Sequence, residues 1–179
     1  MTTEAKPKHL PRLLEILKYG DARLRKKAVP VTEIDDALRG KIQSMFRTMY
    51  EEPGVGLAAP QVGIPLRLMV IDVAPNGKSQ PLVFINPKIE ETKGRVGAEE
   101  GCLSFPGIYA SIRRAEWVKV TALNENGLPM TVSGGGLLAR CILHEIDHLD
   151  GVLMIDRMPL ARRLKALWEI RRRKKAGTW

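Results

Sequence analysis

Histidine and cysteine are scarce in this chain: 179 residues hold three of the first and two of the second. Two cysteines, Cys102 and Cys141, can close one disulfide at most, which excludes a small disulfide-stapled scaffold. No uninterrupted apolar run approaches the ~18 residues that a membrane span requires. The leading segment, MTTEAKPKHLPRLLEILKYG, has neither the apolar core nor the small-residue cleavage site of a secretory signal. The expected location is therefore the cytoplasm, where a cysteine serves as a ligand or catalytic group more often than as half of a disulfide. Internal repeats and low-complexity tracts are also missing, so a repeat array is excluded.

What remains is ordinary for a globular protein, with 44% apolar and 27% charged residues. The length supports one core, or one domain with a tail. Charge draws the boundary: the net charge is +9, yet residues 162–175 alone carry eight Lys/Arg against one Glu. The expected organisation is a single, nearly neutral domain over 1–159 and a basic C-terminal helix over 160–179.

Residues 1–12 are polar and proline-punctuated and read as an extended arm. Residues 13–31 read as a strand-like start followed by a short helical turn. Ile34, Leu38, Ile42, Met45 and Met49 recur at three- and four-residue steps, so a helix is expected over about 35–50, ended by Pro53-Gly54. LRLMVIDV (66–73) and LVFINPKI (82–89) read as strands. WVKVTALN and LPMTV read as a hairpin joined by a type I′ turn at Asn126-Gly127. A glycine triplet at 134–136 opens a second long helix ending near Asp150-Gly151, and a third helix is expected from Pro159 to about Lys175. This non-alternating order argues for an α+β fold, with mixed or antiparallel strands packed around the second helix through Leu138, Cys141, Ile142 and Leu149.

That helix carries HEIDH (144–148). A four-residue step places His144 and His148 on one helix face, where two imidazoles can grip one ion, and Glu145 lies one position round. In this HExxH pattern the glutamate handles the proton of a bound water. A catalytic metal takes three protein ligands and keeps one position open, so a third ligand must come from elsewhere. His9 lies in the polar arm and is a poor candidate. Cys102, in EEGCLSFPG between strands and beside a glycine, is the better one, the alternative being a buried structural thiol. Cys141 has apolar neighbours and reads as core. GVGLAAPQVG (54–63) is too glycine-rich for a helix. It is either a loop presenting bare backbone to a substrate or a buried crossover.

Three stretches in order, GVGLAAPQ (54–61), EGCLS (100–104) and HEIDH (144–148), resemble the signature of peptide deformylases, and the resemblance covers about residues 13–159. It implies an α+β hydrolase that removes the N-formyl group from the initiator methionine of nascent polypeptides and releases formate. It also implies Cys102, His144 and His148 as metal ligands, with Glu145 as catalytic acid and base. The Gln61 side chain and the Leu103 N–H then stabilise the developing oxyanion. The family usually has glutamine before the first histidine; here that residue is Leu143, which bears on an outer contact and not on the ligand set. A thiolate with two imidazoles suits zinc or iron(II). The resemblance favours one iron(II), with zinc, nickel or cobalt able to substitute.

Further expectations attach to the surroundings. Gly54, Val55 and Gly56 are expected to pair their backbone with an extended peptide, and Ile142 and His144 to wall a methionine pocket. Glu100 and Arg114 are expected either to form an ion pair behind the EGCLS turn or to be surface charges. The tail places Leu160, Leu164, Leu167 and Trp168 on one side of a basic helix, a solvated helix docked on the body or a contact for ribosomal RNA. Truncation after Arg171 is then expected to weaken ribosome binding and spare hydrolysis. A zincin-type peptidase, or an RNA-binding module with a structural metal, are the rival readings. EGCLS argues against the first, and a structural zinc normally takes four protein ligands.

Overall fold

The computed structural model describes residues 11–179, so His9 and most of the expected arm lie outside the described part. Helix α1 spans Asp36–Glu51, with the Asp35 side chain accepting from the Leu38 N–H at 2.7 Å as its N-cap. Strands follow at Gly56–Ala58 (β1), Leu68–Ile71 (β2), Leu82–Lys93 (β3), Val96–Gly101 (β4), Tyr109–Arg114 (β5), Trp117–Leu123 (β6) and Pro129–Gly135 (β7). Helices α2 (Gly136–Leu149), α3 (Met154–Arg157) and α4 (Leu160–Lys175) complete the chain. The fold is α+β, as expected.

A five-stranded antiparallel sheet in the order β1-β2-β3-β6-β7 lies between α1 and α2. In β2 all four residues are buried. Leu68 and Val70 pack with Leu38, Ile42, Met45 and Met49 of α1, while Met69 and Ile71 pack with Ile142, Ile146 and Leu149 of α2. Covering both faces explains why this stretch reads as an unbroken apolar run and not as an alternation. Each buried side chain of α1 contributes about 1.5–3 kcal/mol. Together they outweigh the ~1 kcal/mol of the Asp35 cap, so packing fixes the helix.

Three expectations need correction, and one pair of strands was not expected. The glycine-rich segment is neither loop nor crossover throughout. Its first half is β1, the edge strand, paired with β2 through Gly56↔Ile71 and Ala58↔Met69, and a 3-10 turn follows at Ala59–Val62. The strand-like start is not a strand in the structure, where residues 13–31 hold only a 3-10 turn at Ala22–Arg25 and an isolated bridge from Val29 to Leu66. The hairpin turn is not type I′. Gly127 alone of its residues has positive φ (+77°), and its N–H donates to the Asn124 carbonyl, giving a turn at 124–127 with glycine as the left-handed residue before β7. Finally, β4 and β5 form a separate two-stranded sheet that periodicity did not reveal.

The tail is a helix docked on the body, one of its two expected forms. Leu160, Leu164 and Trp168 are exposed (71%, 58% and 64%), while Ala166 and Ile170 are buried with Phe105, Ile108 and Ile155, and Leu167 packs against the same cluster. Arg173 Nη1 donates to the Pro106 carbonyl at 2.9 Å, and Trp179 Nε1 donates to the Tyr19 carbonyl at 3.2 Å. Truncation after Arg171 removes both contacts, so it disturbs the turn next to Cys102 and does not leave the body untouched.

Candidate metal centre

Three segments converge on one cleft of about 490 Å³. Helix α2 contributes His144 and Glu145 to its lining and, outside that lining, His148, all three buried. Its C-terminus is fixed where Gly151, at φ +73°, lets residue 25 pass: a Cβ there would lie 2.5 Å from the Arg25 carbonyl oxygen. The turn after β4 contributes Cys102. Phe105 anchors that turn, being fully buried against Tyr19 with ring centroids 4.9 Å apart, and its N–H donates to the Cys102 carbonyl at 2.8 Å. The third segment is β1 with the 3-10 turn carrying Gln61.

Cys102 Sγ, His144 and His148 bring their donor atoms within 4.8 Å of one another, and Cys102 Sγ lies 3.2 Å from His148 Nε2. Zinc-type bonds of about 2.3 Å to sulfur and 2.0–2.1 Å to nitrogen at tetrahedral angles set donors roughly 3.5 Å apart. The group therefore fits one ion after small side-chain adjustments. A thiolate with two imidazoles is a donor set for zinc or iron(II), and three protein ligands leave a coordination position for water or substrate. Cys141 stays out of this group. Burial pushes its thiol well above the usual range, and its Sγ donates to the Val55 carbonyl at 3.5 Å.

Glu100 and Arg114 are buried, not surface charges. Arg114 Nε and Nη2 donate to the two Glu100 oxygens at 2.6 and 3.0 Å, and Glu100 Oε2 lies 3.1 Å from His144 Nδ1. With Nδ1 so engaged, Nε2 is the ring nitrogen of His144 left for a metal. The chain of charges continues outward. Arg114 Nη1 donates to Asp147 at 2.7 Å, and Arg157 grips the same carboxylate at 2.6 and 3.0 Å. Burial raises the Glu100 carboxyl, but its bonds to His144 and Arg114 outweigh this and hold it below the usual range. Burial likewise depresses His144, yet the neighbouring Cys102 and Glu100 bring it well above its ordinary value. His148 goes the other way: burial, with the His144 and Arg114 charges, depresses it well below, which keeps its ring neutral. Leu143 packs into the α2 core, and only its carbonyl reaches Arg114, at 3.4 Å.

Glu145 is buried, and burial pushes its carboxyl up to about 7 against the opposing charges of His144 and Arg114. Its Oε2 and His148 Nδ1 are the buried side-chain atoms without a hydrogen-bond partner among the described residues. An unpaired buried polar atom costs about 1–3 kcal/mol, so the carboxylate oxygen fits a site whose ligand brings a proton to it. β1 can run this close to α2 because residue 56 is glycine: a Cβ there would lie 2.5 Å from Cys141 Sγ and 2.7 Å from Glu145 Oε1. Gln61 is held with its Oε1 accepting from the Ala58 N–H at 2.8 Å. Its Nε2 is thereby turned toward Ser104 Oγ (3.3 Å) and Cys102 Sγ (3.7 Å). The Leu103 N–H has no backbone partner among the described residues, and Leu103 lines the cleft with Gly54, Val55 and Gly56. Ile142 does not line it, being buried against the sheet. Phe105, Tyr109, Leu137 and Arg140 do, and sequence reading named none of them.

Residues 13–164 match the sequence profile of the family described as polypeptide deformylase. A peptide deformylase of Endomicrobium trichonymphae is 48% identical over 93% of this chain and 98% of its own. The crystal structure of a peptide deformylase from Legionella pneumophila superposes with a TM-score of 0.87 at 44% identity, covering 93% of this chain and 98% of that one. The enzyme from Synechococcus elongatus, solved in complex with actinonin, gives 0.82 at 46% identity, covering 94% and 91%. A profile matched over most of the chain, relatives near half identity and a shared fold place this protein in the peptide deformylase family, whose members are metal-dependent hydrolases.

Proposed function

We propose that this chain hydrolyses the formamide of N-formylmethionyl peptides in the cytoplasm, with one divalent ion held by Cys102, His144 and His148. The observation that carries the reading is the approach of those three donors beside a buried, half-partnered Glu145. An ion held by Cys102, His144 and His148 would supply a more acidic water beside Glu145. Glu145 accepts the proton of the attacking water and returns it to the leaving amine, so one carboxylate serves both steps. Gln61 Nε2, oriented by the Ala58 N–H, and the Leu103 N–H stabilise charge on the formyl oxygen. Among the described residues β1 has a strand partner on one side only, and its Gly56 lines the cleft with Gly54 and Val55, which suits backbone pairing with an extended peptide. Pairing of this kind reads little sequence, as an enzyme meeting many nascent chains requires.

The test is formate release from a formyl-Met peptide. Loss of one oxyanion donor costs about 2.7–4 kcal/mol of barrier, so Gln61→Ala is expected to lower turnover by about 10²–10³-fold. Unchanged turnover would remove Gln61 from this role. We propose iron(II) as the resident ion because the resemblance to peptide deformylases favours it and the partly accessible Cys102 thiolate admits it. Activity is then expected to decay in air with iron and to persist with nickel, and equal loss with both metals would contradict the assignment.

For the ribosome, the supporting feature is the outward face of α4, where Leu160, Leu164 and Trp168 run alongside Arg171 and Lys175. Charge reversal at Arg171 and Lys175 is expected to reduce co-sedimentation with ribosomes, and undiminished co-sedimentation would sink the contact.

A further inference from the structure

The cleft does not end at the β5 strand. Gly107, Ile108 and Tyr109 line it on one side and also line a second cavity of about 190 Å³ that opens between β5 and α4. Ile108, Ala110, Met158 and Ala166 make this second cavity apolar, and α4 adds Arg162, Lys165 and Glu169. These three, with Ala166, follow one another at helical spacing on a single face of α4. The outward stripe of Leu160, Leu164 and Trp168 lies on a different face, so the two sets of groups are separate.

The charge of this groove is one-sided. Glu169 is saturated: Arg172 donates to its two oxygens at 2.8 and 2.9 Å, and Arg173 donates at 2.8 Å. Arg162 and Lys165 are exposed and form no ion pair among the described residues. Two free cations thus face an apolar trough, while the catalytic cleft itself is lined by Glu52 and Glu99 as well as the buried Glu100 and Glu145. Tyr109 stands at the junction, 67% exposed, with its ring laid over Gly101, where a Cβ would meet it at 2.8 Å. An exposed aromatic between two depressions that share Gly107, Ile108 and Tyr109 as lining offers a flat surface to a peptide backbone crossing it.

We propose that the groove between β5 and α4 extends the substrate site and receives acidic side chains of the peptide downstream of the formyl-methionine through Arg162 and Lys165. The proposal rests on the deformylase reading of the cleft. Its occupant follows from continuity with that cleft and from charge complementarity: a chain advancing at about 3.3 Å per residue leaves one depression and enters the next. Exposed ion pairs contribute modestly, about 0.2–1 kcal/mol each. Two of them correspond to a preference of about two- to thirtyfold. This interaction is the same in ground and transition states, so it belongs in KM and not in kcat.

The experiment compares formate release from three substrates: a formyl-Met dipeptide too short to reach the groove, a longer formyl-Met peptide with alanines downstream, and its counterpart with glutamates there. The expected result is a kcat/KM for the acidic peptide about two- to thirtyfold above the alanine peptide at low salt. The advantage should lie in KM, shrink at high salt, and vanish or reverse in Arg162→Glu/Lys165→Glu. The wild-type salt dependence stands even if that variant does not fold. Equal kcat/KM for the two long peptides, an advantage in kcat, or a preference retained in the folded variant would overturn the proposal. Hydrolysis of the dipeptide without discrimination between the long peptides defeats this inference alone. Failure to hydrolyse any of the three defeats the deformylase reading beneath it. Phosphate-backbone binding is the competing use of the same cations. It is indicated if RNA competes with the alanine and acidic peptides equally while neither is preferred, which also counts against the proposal.

Discussion

Glu145→Gln is expected to lower formate release by about 10²–10⁴-fold while the protein retains its metal. The amide keeps the size of the carboxylate in a pocket where Cys141 and Gly56 leave no slack, and it removes the proton acceptor. Glu145 is one residue from a ligand but is absent from the three-donor group, so metal content separates its two possible roles. Turnover measured together with metal per chain decides the matter. Loss of both together would make Glu145 a structural support for the ion and not the proton carrier.

Arg114→Ala has the largest effect expected on stability. Its guanidinium sits between Glu100 and Asp147, and both its own side chain and that of Glu100 are nearly inaccessible (6% and 3%). Breaking a buried pair by removing one partner costs about 3–5 kcal/mol, because the remaining charge stays buried. Glu100 keeps only His144 for company, and Asp147 keeps Arg157. Arg157 is the contrasting case. Its side chain is 48% exposed, so Arg157→Ala is expected to cost about 1 kcal/mol or less despite two short hydrogen bonds. Denaturant midpoints of the two variants, each with and without metal, check the ranking. Equal and small losses would mean that the network is not what stiffens the site.

The parts of this protein legible in the sequence are those where chemistry and periodicity coincide within a few residues. HEIDH needs only a helix to put two imidazoles together, and the stripe from Leu38 to Met49 needs only a sheet to face. The α+β class follows from element order. Less visible were contacts made by single residues across long separations. Arg114 and Asp147 lie 33 positions apart, and nothing local distinguishes a buried arginine from an exposed one; Asp147 offered a clue only as an acid inside an otherwise buried motif. β1 was obscured by its one glycine, Gly56, which lowers strand propensity while giving the strand the clearance it needs beside Glu145. In the tail, periodicity located the helix but not the face it buries, since Ala166 and Ile170, with Leu167 beside them, are what the close approach to Phe105 and Ile108 accommodates.

Formate release from a formyl-Met peptide, measured with metal content for the wild-type chain and for Cys102→Ala, tests metal-dependent deformylation most directly. Activity is expected to follow metal, to disappear on chelation, to return with iron(II) or nickel, and to be lost in the variant together with the ion. Undiminished formate release from the chelated protein, or from a metal-free Cys102→Ala, would contradict a metal-dependent reaction at this site.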